Sequence, residues 1–133
     1  MRIVLDTNIL LPAFFGSGLC HTLLERLLES DDAEIVTSEH ILGEFRQYAT
    51  GKFKAPARDV DEAIRLLRSA ATVVQPAEID KDAFSDPDDL PVLGTAIAAD
   101  TAVLVTGDKD MLALNQFRGI PILSPRAVYE QLH

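Results

Sequence analysis

Four acidic residues, Asp6, Glu44, Asp89 and Asp108, stand where strands and helices would carry them to one edge of a sheet. Asp6 closes the run Arg2-Ile3-Val4-Leu5, and Asp108 closes Ala102-Val103-Leu104-Val105-Thr106-Gly107. Both runs are short, apolar and rich in branched residues, the pattern of buried parallel strands. In open α/β sheets ligands bind beyond the carboxyl ends of the strands. Two carboxylates there, with two more supplied by helices, repel one another unless a cation lies between them. Oxygen donors of this kind suit a hard divalent ion such as Mg²⁺ or Mn²⁺, which keeps waters for substrate phosphates. A pair of such ions activates water and stabilises a leaving oxygen in phosphodiester hydrolysis. Thr7, Asn8, Ser38 and Thr106 are near in sequence and are candidates to orient the carboxylates or a water.

Three of the acids have a plainer reading. Asp6 follows a strand, where turn and cap residues are common. Gly107 serves a turn and Asp108 then caps a short helix. Asp89 belongs to the cluster Asp86-Pro87-Asp88-Asp89, which reads equally as solvated loop and helix cap. Glu44 is the exception: between Ile41 and Phe45 it lies close to a buried face, where a charge is less expected. Convergence of all four on one edge favours the metal site over four separate accidents.

The elements that must position them alternate between strand and helix. Strands are predicted at Arg2 to Leu5, Ala33 to Thr37, Thr72 to Val74, Ala102 to Val105 and Pro121 to Leu123. Leu19, Leu23, Leu24, Leu27 and Leu28 recur at helical spacing and predict a helix from Ser17 to Ser30. Ser38 caps a helix that turns Ile41, Leu42 and Phe45 inward and frays near Thr50-Gly51. Further helices are predicted at Pro56 to Ala71, after the acidic cluster, at Lys109 to Leu114 and after Ser124-Pro125. Ile9 to Phe15 reads as an apolar stretch entered through a turn at Thr7-Asn8, and Pro76 to Asp86 reads as loop. The fold class that follows is a three-layer α/β/α fold with a central, mostly parallel sheet, formed by residues 1–133 as a single domain.

Bulk properties bound the function. At 133 residues, 47% hydrophobic and 25% charged, the chain is long and apolar enough for a substantial core. The single Cys20 excludes an internal disulfide and is read as a buried thiol. No leader is predicted, and no apolar run approaches the ~20 residues of a membrane span. The expected setting is therefore cytoplasmic, with no membrane partner. A net charge of −9 argues against simple nucleic-acid binding through a basic surface. Charge is uneven, however: Arg46, Lys52, Lys54 and Arg58 run together with Tyr48 and Phe53 interleaved, whereas Glu78 to Asp89 is strongly acidic. A basic arm beside an acidic hollow suits a polyanion held against metal ions, making those four cations candidate RNA contacts; the alternative is a solvated surface.

The same residues carry a resemblance. Ile3-Val4-Leu5-Asp6-Thr7-Asn8-Ile9-Leu10, Ser38 with Glu44 on the following helix, Asp86-Pro87-Asp88-Asp89 before an alanine-rich helix, and Val105-Thr106-Gly107-Asp108-Lys109-Asp110 together resemble the PIN-domain family. The most similar subgroup is the toxin component of prokaryotic toxin–antitoxin pairs, akin to VapC-type toxins. The resemblance implies a PIN-like fold and a Mg²⁺- or Mn²⁺-dependent endoribonuclease. It implies Asp6, Glu44, Asp89 and Asp108 as catalytic and metal-binding acids, with Thr7, Asn8 and Thr106 at supporting polar positions. Implied partners are RNA, a small antitoxin that covers the acidic pocket, and a second copy in a homodimer. One departure is Leu90-Pro91 after the acidic cluster, where the family usually has a polar residue. Asp88 and Asp89 therefore both stay open as the third acid; Asp89 is preferred because Val92, Leu93, Ala96 and Ile97 then face the core from the same helix.

Two other readings compete. An aspartyl-phosphate phosphatase would use Asp6 as nucleophile, but that chemistry wants an acid two residues on, where Asn8 stands. A non-catalytic module would use the acidic pocket to dock a basic peptide. Asp110 is read as helix N-terminal charge, His40 as a solvent-facing neighbour of Glu44, and His21 and His133 as unconnected with any zinc site.

Overall fold

The computed structural model describes residues 1–132; His133 lies outside them. Four strands with buried side chains form the middle of the sheet: β1 (Arg2–Leu5), β2 (Glu34–Thr37), β4 (Val103–Val105) and β6 (Ile120–Leu123). The short strands β3 (Thr72–Val73) and β5 (Gln116–Phe117) lie at the edges, giving the order β3-β2-β1-β4-β6-β5. All pairings are parallel except β5 with β6. Ile3, Val4 and Leu5 are almost wholly enclosed because helices cover the sheet, as a parallel sheet requires.

The chain starts on β1, moves outward to β2 and β3, then returns to the other side of β1 with β4. The strand order therefore reverses between β1 and β4. A crevice opens at the carboxyl ends of strands where this happens, and ligands favour it. Asp6 follows β1 at that crevice, its N–H donating to Val105 O of β4 at 2.9 Å.

The helices are α1 (Thr7–Phe15), α2 (Leu19–Glu29), α3 (Glu39–Gly51), α4 (Ala57–Ala70), α5 (Leu90–Ala98), α6 (Lys109–Ala113) and α7 (Pro125–Gln131). Leu10, Leu23, Leu27, Ile41, Phe45, Leu67 and Leu93 fill the core between helices and sheet. Phe14 and Phe15 pack on Phe45 with ring centroids 5.6 and 5.8 Å apart, joining α1 to α3. Among the described residues no single helix is long and apolar enough to cross a membrane.

Two stretches differ from the sequence-based expectation. Ile9 to Phe15, expected only as an apolar stretch after a turn at Thr7-Asn8, belongs to a helix whose first residues are Thr7 and Asn8. Its apolar residues face packing on several sides, so no polar face supplied a helical period. The hairpin between β5 and β6 was not anticipated. Its two turn residues, Arg118 and Gly119, have φ of 50° and 86°, the paired positive values that suit a two-residue hairpin. Elsewhere, Gly94 on α5 admits the backbone of Ala77, whose N–H donates to Gly94 O at 2.9 Å. A Cβ at Gly94 would stand 2.3 Å from Ala77 O. This close approach holds the loop leading to the acidic cluster against α5.

Candidate functional site

Asp6 is the centre of the site and only 4% exposed. Its Oδ1 accepts the Thr7 N–H at 2.7 Å, capping α1. Its Oδ2 accepts the Thr106 hydroxyl at 2.8 Å and the Asn8 amide at 3.4 Å. Capping and site-building thus coexist in one carboxylate. Burial pushes the Asp6 carboxyl above its ordinary range; the Thr106 and Thr7 hydrogen bonds oppose the rise, and the charges of Glu44 and Asp108 add to it.

Thr7 and Asn8 connect the other acids to this centre. The Thr7 hydroxyl donates to Glu44 Oε1 at 2.9 Å, tying α3 to the start of α1. The Asn8 carbonyl oxygen accepts the Gly107 N–H at 3.0 Å, while its amide also reaches Thr106 Oγ1 at 3.3 Å. Thr106 Oγ1 in turn accepts the Asp108 N–H at 3.1 Å. Asp108 caps α6 by accepting the Asp110 N–H at 3.0 Å, and Asp110 is exposed.

Asp89 enters by a different route. A 3-10 turn, Pro87–Asp89, precedes α5, and Asp86 caps it by accepting the Asp88 N–H at 3.0 Å. Asp89 occupies the N-cap position of α5 in helical conformation and makes no side-chain cap. Its carboxylate stays available and lines a cavity of about 320 Å³ with Asp6, Thr7, Asn8, Leu11, Glu44, Tyr48 and Lys52. Asp88 is exposed and lines none of it. Burial first, then the charges of Asp6, Asp86 and Asp108, push Asp89 up to about 7. Asp108 does not line the cavity, yet its charge is among those acting on both Asp6 and Asp89.

Other sequence candidates fall elsewhere. Ser38 caps α3 by accepting the Ile41 N–H at 3.4 Å and hydrogen-bonds with the Thr95 hydroxyl of α5 at 2.9 Å. No carboxylate is among its partners, so it braces the helices that carry Glu44 and Asp89 rather than orienting an acid. Of the basic run only Lys52 lines the cavity. Arg46 pairs with Asp61 at 2.8 Å, and Lys54 and Arg58 are exposed away from the lining. The His40 side chain is partly exposed, as expected, but its Nε2 is buried without a hydrogen-bond partner, 3.5 Å from Glu44 Oε1. Leu11 and Tyr48 are lining residues that sequence reasoning did not single out as site members; the spacing of Tyr48 four residues past Glu44 was the available signal.

Among the described residues no three His, Cys, Asp or Glu side chains are gathered closely enough to hold a metal ion as they stand. The donors nevertheless fit a hard divalent cation. They are oxygens, they converge from four elements, and Asp6 is buried with no cationic side chain among its partners.

A family model for the PIN domain matches residues 2–110, a span that includes all four acids. The chain belongs to the PIN-domain family. Solved structures with this fold include VapBC2 from Rickettsia felis bound to a DNA fragment from their promoter. It has a TM-score of 0.64 at 18% identity over 93% of this chain and 98% of its own. Another is VapC20 from Mycobacterium tuberculosis, described as a sarcin-ricin loop cleaving toxin. It has a TM-score of 0.65 at 17% identity over 90% of this chain and 99% of its own. At such identities the likeness is one of fold. A search of curated proteins by sequence gives no match. In this PIN domain the sheet edge, the capped helices and the buried Asp6 form one continuous hydrogen-bonded frame.

Proposed function

We propose that this PIN domain is a Mg²⁺- or Mn²⁺-dependent endoribonuclease and the toxin of a toxin–antitoxin pair, acting in the cytoplasm. A small antitoxin and a second copy of the chain are its protein partners in this reading. The observation that carries it is the buried Asp6, held by Thr7, Asn8 and Thr106, with the charges of Glu44 and Asp108 acting on it and its own charge acting on Asp89. A sarcin-ricin loop cleaving toxin and a toxin–antitoxin complex share the fold.

Asp6, Glu44, Asp89 and Asp108 would hold the divalent cations, which when bound supply water activation and charge stabilisation at a phosphodiester. The chain's own residues do the rest. Thr106 and the Thr7 N–H fix the Asp6 carboxylate in one rotamer. The Thr7 hydroxyl holds Glu44, and Asn8 clamps the backbone that leads into Asp108. Burial and the neighbouring acids push Asp89 up to about 7, a rise that a bound cation would oppose. Lys52 offers a cation to a phosphate on the same cavity wall.

Cleavage of a mixed RNA by purified protein with Mn²⁺, with Mg²⁺ and with EDTA tests this. Metal-dependent cleavage that Asp6→Asn abolishes is expected; equal cleavage by the Asn variant would remove Asp6 from the reaction. The ungathered carboxylates favour a second reading, an acidic module that docks a basic peptide. Mn²⁺ separates the two, since a ligand of the native state at ~100 times its dissociation constant adds about 2.7 kcal/mol of stability. A thermal midpoint that ignores millimolar Mn²⁺ favours docking. An aspartyl-phosphate route is disfavoured because it wants an acid two residues after the nucleophile, where Asn8 stands with its amide turned to Asp6 and Thr106.

A further inference from the structure

Glu44 faces two donors, and only one of them has closed on it. The Thr7 hydroxyl donates to Oε1 at 2.9 Å. His40 Nε2 stands 3.5 Å from the same oxygen, four residues earlier on α3, where side chains lie one turn apart on one face. At that separation the second hydrogen bond is not yet made. The His40 side chain is 32% exposed, yet Nε2 is the part that is buried, and among the described residues no hydrogen-bond partner meets it. A ring that served only to face water would turn this nitrogen outward, because a buried polar atom left unpaired is costly.

The carboxylate dictates what the nitrogen must carry. An ionised carboxylate only accepts, so a bare Nε2 would set a lone pair against it, whereas an Nε2–H sets a donor there. Oε1 then receives two donors, one from α1 and one from α3. Oε2 has no hydrogen-bond donor among the described residues, and Glu44 lines the cavity. Holding one oxygen from two sides stops rotation of the carboxylate and so fixes the other oxygen as well. Thr7 also gives its N–H to Asp6 Oδ1, so His40, Glu44, Thr7 and Asp6 form one chain of contacts from α3 to the end of β1.

Resting on the metal-dependent reading above, we propose that His40 is a positioning residue whose Nε2–H closes on Glu44 Oε1 and, with the Thr7 hydroxyl, holds the carboxylate so that Oε2 stays free for a divalent cation. His40 touches neither cation nor RNA in this role; it acts through Glu44. Partners that orient a metal-binding side chain in this way typically contribute ~10–100-fold to metal affinity.

Mn²⁺ affinity of the RNA-free protein, measured by titration calorimetry for wild type, His40→Leu and His40→Gln, tests this. His40→Leu should bind Mn²⁺ about ten-fold more weakly, while His40→Gln, which keeps an N–H within reach of Glu44, should stay within about three-fold of wild type. RNA cleavage by the Leu variant should recover at saturating Mn²⁺ with KM for RNA unchanged. Thermal midpoints in EDTA serve as the check on folding. In metal-free wild type, nitrogen NMR of the ring should find a proton on Nε2; a ring protonated only at Nδ1 would overturn the proposal with no variant involved. Unchanged Mn²⁺ affinity in His40→Leu, or equal weakening in the Leu and Gln variants, would overturn the positioning role and leave the nuclease reading intact. Wild type that binds no Mn²⁺ would overturn both. Mn²⁺ binding that depends on His40 in a protein that cleaves no RNA would keep the positioning role and remove the nuclease.

Discussion

Asp89 is free to face the cavity because Asp86 does the capping. The 3-10 turn places Asp86 Oδ1 on the Asp88 N–H, so no backbone donor claims the Asp89 carboxylate. Partial burial, followed by the charges of Asp6, Asp86 and Asp108, lifts it to about 7, and burial lifts Asp6 as well. A carboxyl raised in the fold binds a proton that the unfolded chain has already lost. Between the ordinary carboxylate range and about pH 7, stability therefore falls as pH rises. In EDTA the thermal midpoint should be higher near about pH 5.5 than near about pH 8. Asp89→Asn should flatten that slope, and Mn²⁺ should raise the high-pH arm by replacing protons as the neutralising charge. A variant whose pH profile overlays the wild-type one would mean that Asp89 is not in the shared field. That its neighbour Asp88 is solvent-exposed was not legible in sequence, because the choice depends on the geometry of a turn and not on residue type.

At the level of elements, Ser38 shows how cap chemistry and site chemistry separate. It is wholly buried, begins α3 and bonds Thr95 of α5, so it braces the two helices that bear Glu44 and Asp89. Ser38→Ala should cost about 1–2 kcal/mol of stability in urea denaturation, the usual loss for a cap. RNA cleavage at low temperature should remain within a few-fold of wild type. A large loss of cleavage with full stability would return Ser38 to the role of orienting a carboxylate. The cap itself was readable, as was Ser124, whose Oγ accepts the Ala127 N–H at 3.2 Å, because a cap is decided within four residues. β1 and β4 were readable because strands buried on both faces are uniformly apolar. α1 was not: it is apolar on every side and contains Pro12. β5 was not either, being two residues long with a turn that puts Arg118 at positive φ. α3 ends at Gly51, where the sequence expects it to fray, and Lys52 follows as its C-cap on the cavity lining.

For the molecule as a whole, a net charge of −9 and a buried anionic pocket both oppose RNA. On the proposed function a divalent cation would reconcile an acidic protein with a polyanionic substrate, so RNA association should rise with Mg²⁺ and nearly vanish in EDTA. The strand reversal between β1 and β4 explains why acids so distant in sequence lie along one crevice: it collects the ends of both strands and the starts of the helices that follow. The order of acids along the chain points to that crevice, but not to which cation of the basic run lines it, since Arg46 is taken by Asp61 and Lys52 is on the lining. The most direct measurement is cleavage of a mixed RNA in Mn²⁺ by wild type, Asp89→Asn and Asp88→Asn side by side, with an EDTA lane for each. Metal-dependent cleavage lost in Asp89→Asn and kept in Asp88→Asn is the predicted result; cleavage that survives Asp89→Asn, or that proceeds in EDTA, would contradict a metal-dependent site built on these acids.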